Sequence, residues 1–294
     1  MSGKIRFAPS PTGYLHEGHL LSALYVWAAA KKWNLKIHLR IEDHDQSRAR
    51  PAYIAGIRED LAWLGFKYDS ESIQSARGQV YEAALQKLKE KSLVYPCYCS
   101  RKQLLAENPQ SETGEIVYQG KCFKEVGSRK PEVGSIDTAP HNLRFIVPNK
   151  FIDWHDLRLG DFHENPKLQC GDFPILDRDN QWTYQFAVCV DDIDEQITHI
   201  VRGEDIRNST ARQIALMEAL GRTERPVYLH HPLIVDANNK KLSKRELAHS
   251  LRQDKEAGIT PEMLFGRVCY KAHLTGNDTP IALVDAISII METL

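Results

Sequence analysis

A strand-to-helix junction near the start of the chain constrains the fold most. The extended run Ile5-Arg6-Phe7-Ala8-Pro9-Ser10-Pro11-Thr12-Gly13 leads into His16-Glu17-Gly18-His19, which opens an apolar stretch of helical spacing. Such a junction sets two imidazoles and a glycine where free backbone N–H groups and the helix dipole favour an anion. Far downstream, Lys241-Leu242-Ser243-Lys244-Arg245 puts two lysines and a serine on a polar loop. Together these are the groups needed to hold a nucleoside triphosphate and stabilise attack on one of its phosphates.

The segments around the junction extend the pattern. Residues 4–9 and 35–41 read as strands, and 20–33, 52–64 and 79–90 as helices. Strand–helix–strand–helix order predicts an α/β protein with a parallel sheet and crossover helices. The G-x-G-x-x-G of dinucleotide-binding folds is missing. Character changes near Tyr95: residues 95–170 are richer in Gly, Pro and polar residues, with a short strand at 143–147, and read as an insertion. Strands are predicted again at 182–190, 197–202 and 227–235, with a helix at 210–220 capped by Ser209 or Asn208. The tail, 246–294, reads as mostly helical.

Composition narrows the class. With 294 residues, 42% hydrophobic and 26% charged, the chain can bury a substantial core as one large or two smaller domains. The longest apolar run, 20–30, is too short to span a bilayer, and the start lacks signal-peptide anatomy, so a cytoplasmic protein is expected. A net charge of −1 is not the footprint of a general nucleic-acid binder. Arg202, Arg207, Arg212, Arg222 and Arg225 are the candidates for a local basic surface, with scattered arginines as the competing account. Of the six cysteines, Cys189 reads as a small core hydrophobe in a buried strand. Cys97, Cys99 and Cys122 fall in the loop-rich insertion and suit a structural zinc site. Its fourth ligand is not obvious; His141, Glu112 and Glu115 are candidates. Asp191-Asp192 sits in an apolar setting that favours a structural role over metal binding.

These residues resemble the class I aminoacyl-tRNA synthetases of the glutamyl type. Arg6–Gly13 with Leu15-His16-Glu17-Gly18-His19 is similar to the family's first signature, and Arg40-Ile41-Glu42-Asp43-His44-Asp45 to its next strand end. Tyr184 in Tyr-Gln-Phe-Ala, Val190-Asp191-Asp192, Val201-Arg202-Gly203-Glu204-Asp205 and the lysine loop match later blocks in family order. The chain ends at Leu294, 50 residues beyond Lys244, whereas a full glutamyl-tRNA synthetase is expected to need a further helical anticodon-binding region. Length, Tyr184-Gln185 and Ser209-Thr210-Ala211-Arg212-Gln213 resemble the short paralogous group that attaches glutamate to queuosine in tRNA(Asp). Glu17, in place of an apolar residue, and Arg245, in place of a serine, depart from the pattern.

The resemblance implies a Rossmann-like catalytic domain in two parts, 1–94 and 173–245, an inserted acceptor-binding-like α+β zinc subdomain at 95–172, and a helical tail at 246–294. It implies a ligase that activates glutamate with ATP and Mg2+, independently of tRNA, to glutamyl-adenylate with release of pyrophosphate, and then transfers the glutamate to queuosine-bearing tRNA(Asp), with no DNA or membrane partner. His16, His19 and Lys244 are the expected catalytic groups, with Gly18, Lys241 and Ser243 also on ATP. Arg6, Phe7, Ala8, Pro9, Ser10, Glu42, Tyr184 and Arg202 are expected around glutamate; arginine suits its carboxylates and Glu42 its ammonium. The group's C-x-C and Y-x3-C pattern adds Tyr118 to the zinc ligands. Competing expectations are a truncated synthetase that charges the tRNA 3′ end, a catalytically silent nucleotide-binding module, and a nucleotidyl transferase acting on another substrate.

Overall fold

The computed structural model describes residues 3–111, 114–128, 140–234 and 249–294. In chain order the elements are β1 (Lys4–Phe7), α1 (Glu17–Trp33), β2 (Lys36–Ile41), α2 (Pro51–Trp63), β3 (Ser70–Ile73), α3 (Gly78–Glu90), β4 (Val94–Cys97), α4 (Arg101–Glu107) and α5 (Lys121–Ser128). There follow β5 (Asn142–Phe145), β6 (Ile152–Asp156), β7 (Gly160–Glu164), α6 (Pro166–Cys170), β8 (Pro174–Leu176), α7 (Tyr184–Asp194), β9 (His199–Gly203), α8 (Thr210–Ala219) and β10 (Val227–His231). The tail forms α9 (Leu251–Glu256), α10 (Pro261–Lys271) and α11 (Leu283–Thr293).

Seven strands form the central sheet in the order β3-β2-β1-β9-β10-β6-β7, all parallel up to β6, with β7 antiparallel at the edge. The chain runs outward from β1 to β2 and β3 on one side and returns as β9 and β10 on the other. The reversal lies between β1 and β9, where the crevice beyond the strand ends is the usual ligand site of such sheets. Helix α1 fills this junction. It is buried over nearly its whole length from Leu20 to Ala30, as expected of a helix apolar all round, and α10 and α11 cover it. A second core between α3, α7 and α8 covers the opposite face.

The insertion differs from a clean segment at 95–172. Its own antiparallel sheet is β4-β5-β8, but the hairpin β6–β7 leaves it and extends the central sheet through β10. The alternation of β6, with Ile152, Trp154 and Asp156 buried, fits a strand with one covered face.

Three local expectations are corrected. Residues 182–190 do not form a strand. They start α7, which is buried on every side, so its apolar run carries no helical period to distinguish it. Cys189 is accordingly a buried core thiol on a helix. Ser209 stands at the N-cap of α8 but its side chain makes no capping bond: a 3-10 turn over Glu204–Ser209 runs straight into the helix, and the Ser209 hydroxyl accepts from Gln185 instead. Strand β10 ends at His231, before Pro232, which has no N–H to extend the ladder; position 235 lies outside the described residues.

Helical geometry in α7 aims Asp191, Asp192 and the following Glu195 at one guanidinium. Arg40 of β2 is wholly buried and meets Asp192 at 2.7 Å and Glu195 at 2.6 Å. Arg6 of β1 bonds Asp192 at 3.1 Å, and Arg77 bonds Asp191 at 2.7 Å. Asp191 and Asp192 are thus structural, as their setting in the sequence indicates. Removing one partner from a buried ion pair costs about 3–5 kcal/mol. Asp192→Asn should therefore lower unfolding stability by about that amount in urea melts. Asp194→Asn, half exposed and three residues from Asp191, should cost less than about 1 kcal/mol.

Candidate active site

A cavity of about 1120 Å³ opens at the topological switch point. The loop after β1 contributes Ala8, Pro9 and Ser10, the start of α1 contributes His16, Gly18 and His19, and the ends of β2 and β9 contribute Glu42 and Arg202. Tyr184 enters from the first turn of α7. Most of the candidate residues therefore line one space. Arg6 and Phe7 do not reach it: both are buried behind the wall, Arg6 on Asp192 and the Val201 carbonyl, Phe7 against Trp27. Lys241, Ser243 and Lys244 lie outside the described residues.

The two histidines have a defined proton arrangement. His16 is the N-cap of α1, and its Nδ1 accepts from the Gly18 N–H at 3.1 Å. His19 Nδ1 accepts from the His16 N–H at 3.2 Å. A ring nitrogen that accepts from an amide carries no proton, so each neutral ring keeps its proton on Nε2. Burial lowers both imidazole pKa values, His19 to about 3, with His16 beside it adding to the effect. The junction thus offers two neutral Nε2–H donors, with ring centroids 3.8 Å apart, rather than two cations.

Arg202 and Arg6 are held by opposite kinds of partner. Arg202 donates to His230 Nε2 at 3.0 Å, Gln213 Oε1 at 2.6 Å and Thr210 Oγ1 at 2.8 Å, none of them a carboxylate. His230 in turn bonds Asp156 through Nδ1 at 2.7 Å, which fixes its free nitrogen as the acceptor. Glu204, a candidate ion-pair partner for Arg202, pairs with Arg158. Among the described residues Arg202 pairs with no carboxylate at the cavity wall, whereas Arg6 pairs with Asp192.

Glu42 is 5% exposed, and burial raises its carboxyl to about 7 against the pull of Arg40 and Arg6. Arg40 Nη1 lies 3.7 Å from it without forming a hydrogen bond. Burial likewise raises the Tyr184 phenol, with Glu42 adding to it. The other arginines of the expected basic surface do not gather here. Arg222 bonds the Asp192 and Ile197 carbonyls, and Arg225 bonds Glu218.

The tail supplies a wall the sequence reasoning missed. Ser250, Arg252 and Gln253 of α9 line the cavity. The one local signal was Ser250-x-x-Gln253, a capping box that starts α9. Glu17, the departure inside the histidine motif, pairs with Arg267 at 2.6 Å and Lys271 at 2.7 Å, both on α10.

In the insertion, Cys97, Cys99 and Cys122 are buried with their sulfurs all within 4.8 Å of one another. Tyr118 Oη lies 3.6 Å from Cys97 Sγ and 3.8 Å from Cys99 Sγ, and Cys99 and Cys122 sulfurs are 3.5 Å apart. A tetrahedral zinc with Zn–S of about 2.3 Å separates its sulfur ligands by roughly 3.8 Å, so the donor set fits a metal ion. These four residues and Tyr95 make up the buried core of this segment, too small to hold it alone. Glu115 is engaged elsewhere, by Arg212 at 2.5 Å, and His141 is not part of the cluster; Glu112 lies outside the described residues.

Comparison with known proteins agrees with this geometry. Residues 4–278 match the family described as tRNA synthetases class I (E and Q), catalytic domain. The chain is 41% identical over 281 residues to a glutamyl-Q tRNA(Asp) synthetase of Neisseria meningitidis, covering 95% of this chain and 92% of the relative. It is 36% identical over 288 residues to the one from Symbiobacterium thermophilum, covering 94% and 88%. Identity to the glutamate–tRNA ligase of Aquifex aeolicus is 39% over 269 residues, covering 90% of this chain but 56% of the ligase. Among solved structures, a glutamate tRNA ligase from Elizabethkingia meningosepticum in complex with its amino acid superposes with a TM-score of 0.76 at 26% identity, covering 98% of this chain and 64% of that one. No helix among the described residues is long and apolar enough to cross a membrane. The chain belongs to the class I tRNA synthetases of the glutamyl and glutaminyl type and, within them, to the glutamyl-Q tRNA(Asp) synthetases.

Proposed function

We propose that this chain activates L-glutamate with ATP, without tRNA, and transfers it to queuosine in the anticodon of tRNA(Asp). The observation that carries the reading is the cavity itself: paired neutral N–H donors, an arginine with no carboxylate partner among the described residues and a buried carboxylate share one space. The near-full-length match to relatives of that name supports the acceptor.

In the first step a glutamate carboxylate oxygen attacks the α-phosphate, and pyrophosphate leaves. His16 and His19 donate through Nε2–H to phosphate oxygens, and Gly18 lets the nucleotide approach the backbone. Lys244, with Lys241 and Ser243, is assigned to the phosphates on sequence grounds. Mg2+ bound with ATP supplies charge neutralisation on the pyrophosphate oxygens. Arg202 takes a substrate carboxylate, aided by Tyr184 and Ser10, and Glu42 takes the ammonium. Arg6 acts from behind the wall by holding Asp192. In the second step a queuosine hydroxyl attacks the activated carbonyl and AMP leaves.

Labelled glutamate should enter queuosine-containing tRNA(Asp) and not queuosine-free tRNA(Asp). Equal labelling of both would establish charging of the 3′ end instead.

Glu42 binds an ammonium only as a carboxylate. Its pKa near 7 means that it protonates as pH falls through neutrality. The KM for glutamate in ATP–pyrophosphate exchange should therefore climb as pH drops below about 7, approaching tenfold per unit. Glu42→Gln should raise KM and flatten that profile; a flat wild-type profile would remove Glu42 from ammonium binding.

For the insertion, one structural zinc is held by Cys97, Cys99, Tyr118 and Cys122, and four protein ligands leave no open position for chemistry. Elemental analysis should find one zinc per chain. Tyr118→Phe, which keeps the ring but loses the ligand oxygen, should give up the metal to a chelator at lower concentration. Unchanged affinity would exclude the tyrosine.

A further inference from the structure

A second cavity, of about 770 Å³, lies where the insertion meets the catalytic sheet. It shares a wall with the first. In the 3-10 turn over Glu204–Ser209, Asp205 and Ile206 line the first cavity, while Arg207 lines the second, joined by Asn208.

Two features of the lining of this cavity stand out. The first is a pair of polar side chains in its wall, Arg212 and Gln169, each with a polar atom sealed from solvent, Nε and Oε1, that has no hydrogen-bond partner among the described residues. Both residues line the cavity, and the Arg212 side chain is 4% exposed. The second is an aromatic platform. Phe151 is 55% exposed yet stacks face to face on His163, with centroids 4.3 Å apart and planes 3° apart. His163 is held by Asp153 at 2.5 Å. Polar side chains such as Asn208 and Lys167 beside a flat exposed π-face are what an unstacked nucleobase uses: hydrogen-bonding groups for its edge and an aromatic for its face.

We infer that this cavity is a subsite for the base of an unpaired RNA nucleotide next to the one that reacts. The assignment rests on the reading of the acceptor as anticodon RNA. With the reacting base in the first cavity, its neighbour along the strand meets the shared 3-10 turn, and its base enters the second cavity against Phe151 and His163.

The test uses an anticodon stem–loop RNA of tRNA(Asp) with 2-aminopurine on one or the other side of the queuosine. Binding to the whole protein is followed by fluorescence, and glutamate transfer to the same RNA is measured in parallel. Wild type should change the fluorescence from one flank. Phe151→Ala should abolish that change and weaken binding about tenfold, the scale of one lost base–aromatic stack. ATP–pyrophosphate exchange should stay at the wild-type rate. Transfer without a flank-specific signal, or a Phe151→Ala variant that binds as wild type does, would overturn the subsite and leave the acceptor reading intact. A Phe151-dependent signal without transfer would keep the RNA subsite and refute the acceptor reading. No binding at all would refute both.

Discussion

The buried guanidinium of Arg40 is the constraint around which the catalytic fold is arranged. It sits on β2, in the first half of the sheet, and its partners Asp192 and Glu195 lie at the end of α7, more than 150 residues later. A charge taken wholly out of water must be matched, and that requirement fixes the register between the two halves. Arg6 and Arg77 complete the compensation on either side. The cavity floor inherits this order, because Glu42 directly follows Ile41 of β2 and Tyr184 opens the helix that carries the acids.

The same network explains why two arginines of similar burial differ chemically. Arg6 is spent on Asp192, so its field shapes Glu42 without offering a free charge. Arg202 is oriented by a histidine, an amide and a hydroxyl, which fix its position and leave its charge for a ligand. Neutral partners for one arginine and acidic partners for its neighbour form the electrostatic basis of a site that must bind anions beside a buried carboxylate. The histidines follow a related logic, in that backbone amides choose their tautomer and burial keeps them uncharged.

Local patterns in the sequence carried the first half of the fold and most residues of the cavity. The His16 capping box, the apolar runs of β1 and β2, the proline that opens α2 and the amphipathic period of α3 are all local signals, whereas the short edge strand β3 carries none. What escaped depends on distant parts of the chain. The segment that became α7 is apolar on all sides, so only its contacts with Arg40 and the second core distinguish helix from strand. The hairpin of β6 and β7 reads as part of the insertion because nothing in its composition tells which sheet it joins. Arg6 was grouped with the substrate side chains because family order places it in the signature, whereas the competition for it by Asp192 exists only in three dimensions. The contribution of α9 to the cavity was invisible for the same reason.

Glu17 carries a further consequence. Its carboxylate stands at the first turn of α1, between the two imidazoles in sequence. Arg267 and Lys271 discharge it from α10. The C-terminal helices therefore act as an electrostatic shield for the histidine turn as well as a cover for α1. A chain trimmed ahead of α10 retains every residue of the histidine motif, yet leaves a bare negative charge at the helix start, where the dipole otherwise favours an anion. The acidic residue and the two basic ones thus form one charge-balanced group: exchanging any of them for an apolar residue changes the charge left on the other two.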